Sequence, residues 1–215
     1  INNELHIFQI KINFSNDKQK FSFQRYYKIE NTCTKITKSI EVFCNISNLE
    51  IPLSVEECEQ GVLNKFKYLC DVSCDPKWLN YLDTNQISQV SIPKGVEKIC
   101  KKDFDKLVHL NCLSIPPSVK EIEENSFSEC VELEYISCAT YHLKYFNAKQ
   151  IKIIDILNDL EIINANYFKG FVNLKYLYLP KTIKTVNPYA FINCKKLIFV
   201  SNEIAQKFII NKSLI

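Results

Sequence analysis

The chain has no methionine, only three glycines, a single tryptophan and, among 27 basic residues, one arginine, Arg25. Each shortage excludes something. Three glycines are too few for a sandwich of tight hairpins, whose turns need residues that tolerate positive φ. A formal net charge of +3, carried almost wholly by lysine, is a poor footprint for nucleic acid, because arginine is the usual reader of base edges and phosphates. Long apolar runs are missing as well, and nothing approaches the roughly 18–20 consecutive apolar residues of a membrane helix. No secretory leader and no methionine open the chain, so Ile1 reads as an internal start of something longer. The sequence also lacks GxGxxG, a Walker loop, HExxH and CxxC, the short motifs that bring phosphates or metals to a fold.

What is present is a core and a period. Hydrophobic residues make up 47% of the chain and aromatics 12%, enough to bury an interior. Apolar residues that begin short strand-like runs fall at Leu5, Phe23, Ile46, Leu69, Ile87, Leu110, Leu133, Ile151, Leu174, Leu197 and Ile215. Their spacing runs 18, 23, 23 and repeats, a 64-residue unit of three coils. Three and five places beyond the anchors stand further apolar residues, such as Leu113 and Ile115 or Leu177 and Leu179, with Lys28 and Asn202 as exceptions at the fifth place. That period of two is a strand with one buried face, and successive strands are expected to stack in parallel about 4.8 Å apart.

The longer coils add a second pattern. A proline follows the strand at Pro52, Pro93, Pro116 and Pro180, where the missing N–H ends a ladder. A Val-x-x-Ile segment comes next, exemplified by Val119 and Ile122, and then a buried plug at Leu63, Phe104, Phe127, Phe168 or Phe191. Asn187 and Pro188 read as an N-cap and first residue of a short helical turn, α or 3₁₀. In the 18-residue coils Asp75–Leu82 and Ala139–Phe146 replace the Val-x-x-Ile segment, and Asp75–Pro76 signals another capped turn. The expected fold is therefore an α/β solenoid of about ten coils spanning residues 1–215, with a parallel sheet on the concave face. Residues 1–37 fit the anchors but put Asp17 and Lys20 at plug positions, so they read as degenerate first coils.

The repeat L-x-x-[IVL]-x-I-P-x-x-V-x-x-I-x-x-x-x-F-x-x-C resembles the BspA-like leucine-rich repeat. Leu113–Cys130 and Leu177–Cys194 are its clearest copies, and the match covers about residues 40–202. Ile122-Glu123 and Val186-Asn187 stand where the family usually has Ile-Gly, which affects a turn. The resemblance implies a leucine-rich-repeat fold, protein–protein binding and no chemistry. It also implies kinship with surface-associated bacterial adhesion proteins and with a large set in protists.

Ten cysteines invite a disulfide framework, but the repeat argues otherwise. Cys130 and Cys194 share one repeat position and Cys74 and Cys138 another, three coils or about 14 Å apart, beyond disulfide reach. These four and Cys58 read as small core residues. Cys33, Cys44, Cys70, Cys100 and Cys112 fall between apolar positions, and so many free thiols favour a reducing, cytoplasmic setting. Sequons at Asn13, Asn45 and Asn211 point weakly to the cell surface instead. A zinc site built on Cys70 and Cys74 with His109 or Cys112 would need residues from different coils at mismatched positions. His6, His109 and His142 occupy unrelated positions and assemble no catalytic triad. No catalytic residue, metal or cofactor is expected.

A partner would meet the outward residues of the concave sheet, two and four places past each anchor. From Asn48 to Ser114 these are small and polar. From Tyr135 onward they become Tyr135, Ile153, Tyr176 and Phe199 in the first column, with Asp155 and Tyr178 in the second. That strip is expected to be a protein-binding surface, since exposed aromatics are enriched at interfaces. Two plainer causes would give the same strip. The aromatics have high strand propensity and could simply pack along the ladder, or a following domain could cover them.

Overall fold

The computed structural model describes residues 8–13, 20–43, 45–202 and 205. Among them, one sheet carries ten strands. In spatial order these are Phe8–Asn13, Lys20–Lys28, Asn48–Glu50, Asp71–Ser73, Gln89–Ser91, Cys112–Ser114, Tyr135–Cys138, Ile153–Ile156, Tyr176–Tyr178 and Phe199–Val200. From the second strand onward every pairing is parallel. The central residues Leu49, Val72, Val90, Leu113, Ile136, Ile154, Leu177 and Val200 form one inward column, and none is more than 1% exposed. Burying each is worth about 1.5–3 kcal/mol, and a column of β-branched and leucine side chains stacks without gaps. This is the parallel-stranded solenoid that the period predicts.

The N-terminal end departs from expectation twice. The first strand is antiparallel to the second, with Phe8 opposite Arg25 and Asn13 opposite Lys20. The reason is the link between them: six residues separate Asn13 from Lys20, whereas a parallel crossover needs a dozen or more. The second strand is also shifted by one place, pairing Tyr26 with Asn48 and Tyr27 with Leu49. The 23-residue spacing from Phe23 to Ile46 would have put Tyr26 inward and Lys28 in the core. With the shift, Tyr27 packs on the core and Ile29 is buried in its place, donating its N–H to the Glu50 carbonyl at 3.0 Å. A one-residue slip exchanges the two faces of a strand, and here it exchanges a lysine for an isoleucine. The anchors Leu5 and Ile215 lie outside the described residues.

On the convex side the Val-x-x-Ile segments form two-residue parallel pairs. Lys35–Ile36 pairs with Glu57–Cys58, Lys98–Ile99 with Glu121–Ile122, and Ile162–Ile163 with Thr185–Val186. Each pair is interrupted where an 18-residue coil intervenes, because that coil substitutes a 3₁₀ turn, Pro76–Tyr81 or Thr140–Tyr145. The caps form as the sequence implies: Asp75 accepts from the Lys77 N–H at 3.1 Å, and Asn187 from the Tyr189 N–H at 2.9 Å. The turns are 3₁₀, the form favoured for pieces this short. Behind them the plugs Leu63, Phe104, Phe127, Phe168 and Phe191 are all buried. Neighbouring rings touch in different ways, Phe104 meeting Phe127 edge-on at 77° while Phe168 and Phe191 stack nearly parallel at 10° and 5.6 Å between centroids. Gly61, Asn125 and Asn166, each fifteen places past an anchor, adopt the left-handed φ that turns the chain toward its plug.

The cysteines sort largely as the repeat dictates. Cys74, Cys130, Cys138 and Cys194 are buried and form no disulfide, and burial pushes the Cys130 thiol up to about 12. Cys58 differs, being only partly buried at the open flank of its two-residue strand. Cys33, Cys70, Cys100 and Cys112 are partly exposed and also unpaired, while Cys44 lies outside the described residues.

Candidate functional site: the concave sheet face

Parallel register from Asn48 onward brings the outward columns together as the spacing implies. Tyr135, Ile153, Tyr176 and Phe199 are consecutive partners across four strands. Ser137, Asp155 and Tyr178 run beside them. Tyr176, Tyr178 and Phe199 are 37%, 41% and 40% exposed, so their rings are available to a partner even though they touch one another. Tyr135 and Ile153 are half-buried. Tyr178 and Phe199 lie tilted at 53° with centroids 5.7 Å apart, so ladder packing and exposure coexist here. Asp155 accepts a hydrogen bond from the Ser137 hydroxyl at 3.3 Å. Burial and the neighbouring Asp155 charge together push the Tyr135 phenol above its ordinary pKa. All six predicted site residues thus share one surface. Beside it, Lys152 and Glu134 form an ion pair and Ile198 is 66% exposed, a flank that the strand pattern alone had not singled out.

The N-terminal half of the same face is polar and internally satisfied. Asn48 and Gln89 donate to the Asp71 carboxylate at 3.1 and 3.3 Å. Tyr26 and Lys28, turned outward by the register shift, both bind Glu50. Burial raises Glu50, but the hydrogen bonds from Lys28 and Tyr26 outweigh it and hold the carboxyl below its usual range. Sequence reasoning missed this cluster because the anchor spacing places Arg25 and Tyr27 on the face. The available signal was Ile29, an apolar residue one place past a lysine.

The chemistry-bearing residues are scattered. Among the described residues no group of three His, Cys, Asp or Glu side chains is placed to hold a metal. Cys70 donates to the Ser47 carbonyl, Cys74 is fully buried, and His109 pairs with Glu132 at 3.1 Å. His6 lies outside the described residues. His142 is 1% exposed, its Nε2 bound to the Val119 carbonyl at 2.8 Å, and its Nδ1 has no partner among the described residues. It occupies the position of Trp78, 64 residues earlier, whose indole N–H is likewise buried without an acceptor.

Burial lowers the His142 pKa, and the Lys120 charge adds to that. The unfolded chain therefore binds this proton at higher pH than the folded one. Stability is full above the ordinary histidine value of about 6.5 and falls as pH drops toward the lowered folded value, at up to about 1.4 kcal/mol per unit. Urea unfolding between pH 7.5 and 5.5 is expected to show this decline, and His142→Leu to reduce it. An equal decline in the variant would assign it elsewhere.

The sequence model for the BspA type leucine-rich repeat region matches six copies across residues 79–198, more than half of the chain. The chain belongs to the BspA-type leucine-rich repeat family. The matched span takes in the strands of Tyr135, Ile153 and Tyr176 and ends one residue before Phe199. Solved structures share the solenoid at low identity. The TLR13–ssRNA13 complex aligns with a TM-score of 0.53 and 14% identity over 82% of this chain and 28% of that one. An internalin from Listeria monocytogenes gives 0.47 and 15% over 78% of this chain and 51% of that one. A leucine-rich repeat protein from Eubacterium ventriosum gives 0.38 and 17% over 82% and 54%. The chain thus spans between about a quarter and a half of these structures' lengths, and the likeness is one of fold. No curated protein matches the sequence. Among the described residues no helix is long and apolar enough to cross a membrane.

Proposed function

We propose that this BspA-type solenoid is a non-enzymatic protein-interaction scaffold that binds another protein on its concave face, through Tyr135, Ile153, Asp155, Tyr176, Tyr178 and Phe199. One observation carries the reading: four consecutive strands present Tyr135, Ile153, Tyr176 and Phe199 in a single outward column, with three of the strip's rings about 40% exposed. A contiguous aromatic strip on a rigid sheet offers large apolar area at little entropic cost, the usual character of an interface hot spot. The nine described cysteines form no disulfide, which favours a reducing compartment and hence a cytoplasmic scaffold. A second reading, a cell-surface adhesion protein, is favoured by the family, and it uses the same face.

The test is affinity capture with Tyr135→Ser/Tyr176→Ser beside the wild-type chain, with thermal unfolding as the control. The expected result is loss of capture, by about a thousandfold if each ring contributes about 2 kcal/mol, with unfolding nearly unchanged. Unaltered capture would remove the site assignment.

A further inference from the structure

The outward columns carry a charge bias that the whole chain does not. Eight side chains from Asn48 to Phe199 and seven from Glu50 to Tyr178 line the concave face. They include three carboxylates, Glu50, Asp71 and Asp155, and no lysine or arginine, although basic residues outnumber acidic ones 27 to 24 overall. Two of these carboxylates are held from within. Glu50 pairs with Lys28, and Asp71 accepts from the amides of Asn48 and Gln89. Asp155 is different. Its hydrogen bond comes from the Ser137 hydroxyl, and among the described residues no cation lies within ion-pair reach.

Its position makes that consequential. Tyr178 stands directly across the ladder from Asp155, and Tyr135 is its diagonal neighbour through Ile153. The register thus sets both tyrosines beside Asp155 on the outward face, and its charge adds to burial in raising the Tyr135 phenol. An apolar partner lying on this strip would strip water from Asp155 and leave the charge uncompensated, which opposes binding. A partner that brings a cation offsets that cost and gains the attraction of two phenol faces. Phosphate would be repelled by the same carboxylate, so the bias argues against a nucleic-acid strand.

We infer that the concave face recognises a protein segment with a lysine or arginine flanked by apolar side chains, the cation seated on Asp155 between Tyr135 and Tyr178. The flanking apolar groups lie on Ile153, Tyr176 and Phe199. This inference rests on the concave face being the partner site.

The test is an NMR titration of the isotopically labelled chain with two blocked tetrapeptides, Phe-Leu-Arg-Leu and the same peptide with norleucine in place of arginine. The arginine peptide is expected to shift the Tyr135, Asp155 and Tyr178 amides and to bind about tenfold more tightly than the norleucine peptide. Asp155→Asn is expected to erase that preference without altering thermal unfolding. Equal binding of both peptides, or an undiminished preference in Asp155→Asn, overturns the inference. If both peptides then still shift Ile153, Tyr176 and Phe199, the apolar partner site survives and only the cation is lost. No concave-face shift with the arginine peptide also overturns it. Whether the underlying site falls too is read from capture by Tyr135→Ser/Tyr176→Ser.

Discussion

Ile136→Asp is expected to unfold this protein, while Tyr135→Ser, one place earlier on the same strand, is expected to leave it folded. The two side chains point to opposite faces. Ile136 is 0% exposed, in the middle of the inward column and flanked by Leu113 and Ile154. An aspartate there meets no donor or cation in an apolar column, so the fold must bury a charge or open the coil. Either costs several kcal/mol, against a total of about 5–15 kcal/mol for a typical domain. Because each coil is stabilised by its neighbours, the damage reaches the adjoining coils. Tyr135 loses only a half-buried ring facing outward, worth about 1 kcal/mol. Circular dichroism with a urea titration separates the outcomes. A folded Ile136→Asp, or an unfolded Tyr135→Ser, would mean that the faces are exchanged.

The second large effect is Phe168→Ala. Its ring is fully buried, stacked on Phe191 and against Tyr167, and its carbonyl accepts from the Cys194 thiol at 3.3 Å. Truncation removes the transfer free energy of the ring and leaves a cavity that the two flanking coils cannot close, because both are tied into the parallel ladder. A loss of about 3–5 kcal/mol is expected. With a urea dependence of about 1–3 kcal/mol per molar, the midpoint falls by at least about 1 M. Ile198→Ala, at a position 66% exposed, is the matched control and is expected to change stability by less than about 0.5 kcal/mol. A Phe168→Ala protein as stable as that control would contradict the plug role.

The parts of the fold that were legible are those repeated every coil. Leu113, Ile136 and Leu177 announce an inward column because apolar residues recur at one offset, and once the register is set Tyr135, Tyr176 and Phe199 must face outward. Pro116 and Phe127 are legible for the same reason, each recurring with a fixed mechanical duty. What was not legible depends on a single coil. The shift that turns Tyr27 inward and Tyr26 outward is a contest between two registers, decided by whether Lys28 or Ile29 is buried. The antiparallel first strand follows from a link too short for a crossover, which the anchor spacing conceals. Side-chain networks were equally hidden. Asp71 between Asn48 and Gln89, or Lys152 beside Glu134, joins residues that lie 18 or 23 positions apart and whose rotamers no spacing specifies. In the candidate site the column of rings was readable, but the difference between an Asp71 held by two side-chain amides and an Asp155 held by one hydroxyl was not.

The most direct measurement is hydrogen exchange of the chain alone and with its captured partner. Binding on the concave face predicts slowed exchange in Tyr135–Cys138, Ile153–Ile156, Tyr176–Tyr178 and Phe199–Val200, with the convex pairs Glu121–Ile122 and Thr185–Val186 unchanged. Protection on the convex pairs, with the four concave strands exchanging as in the free chain, would contradict it.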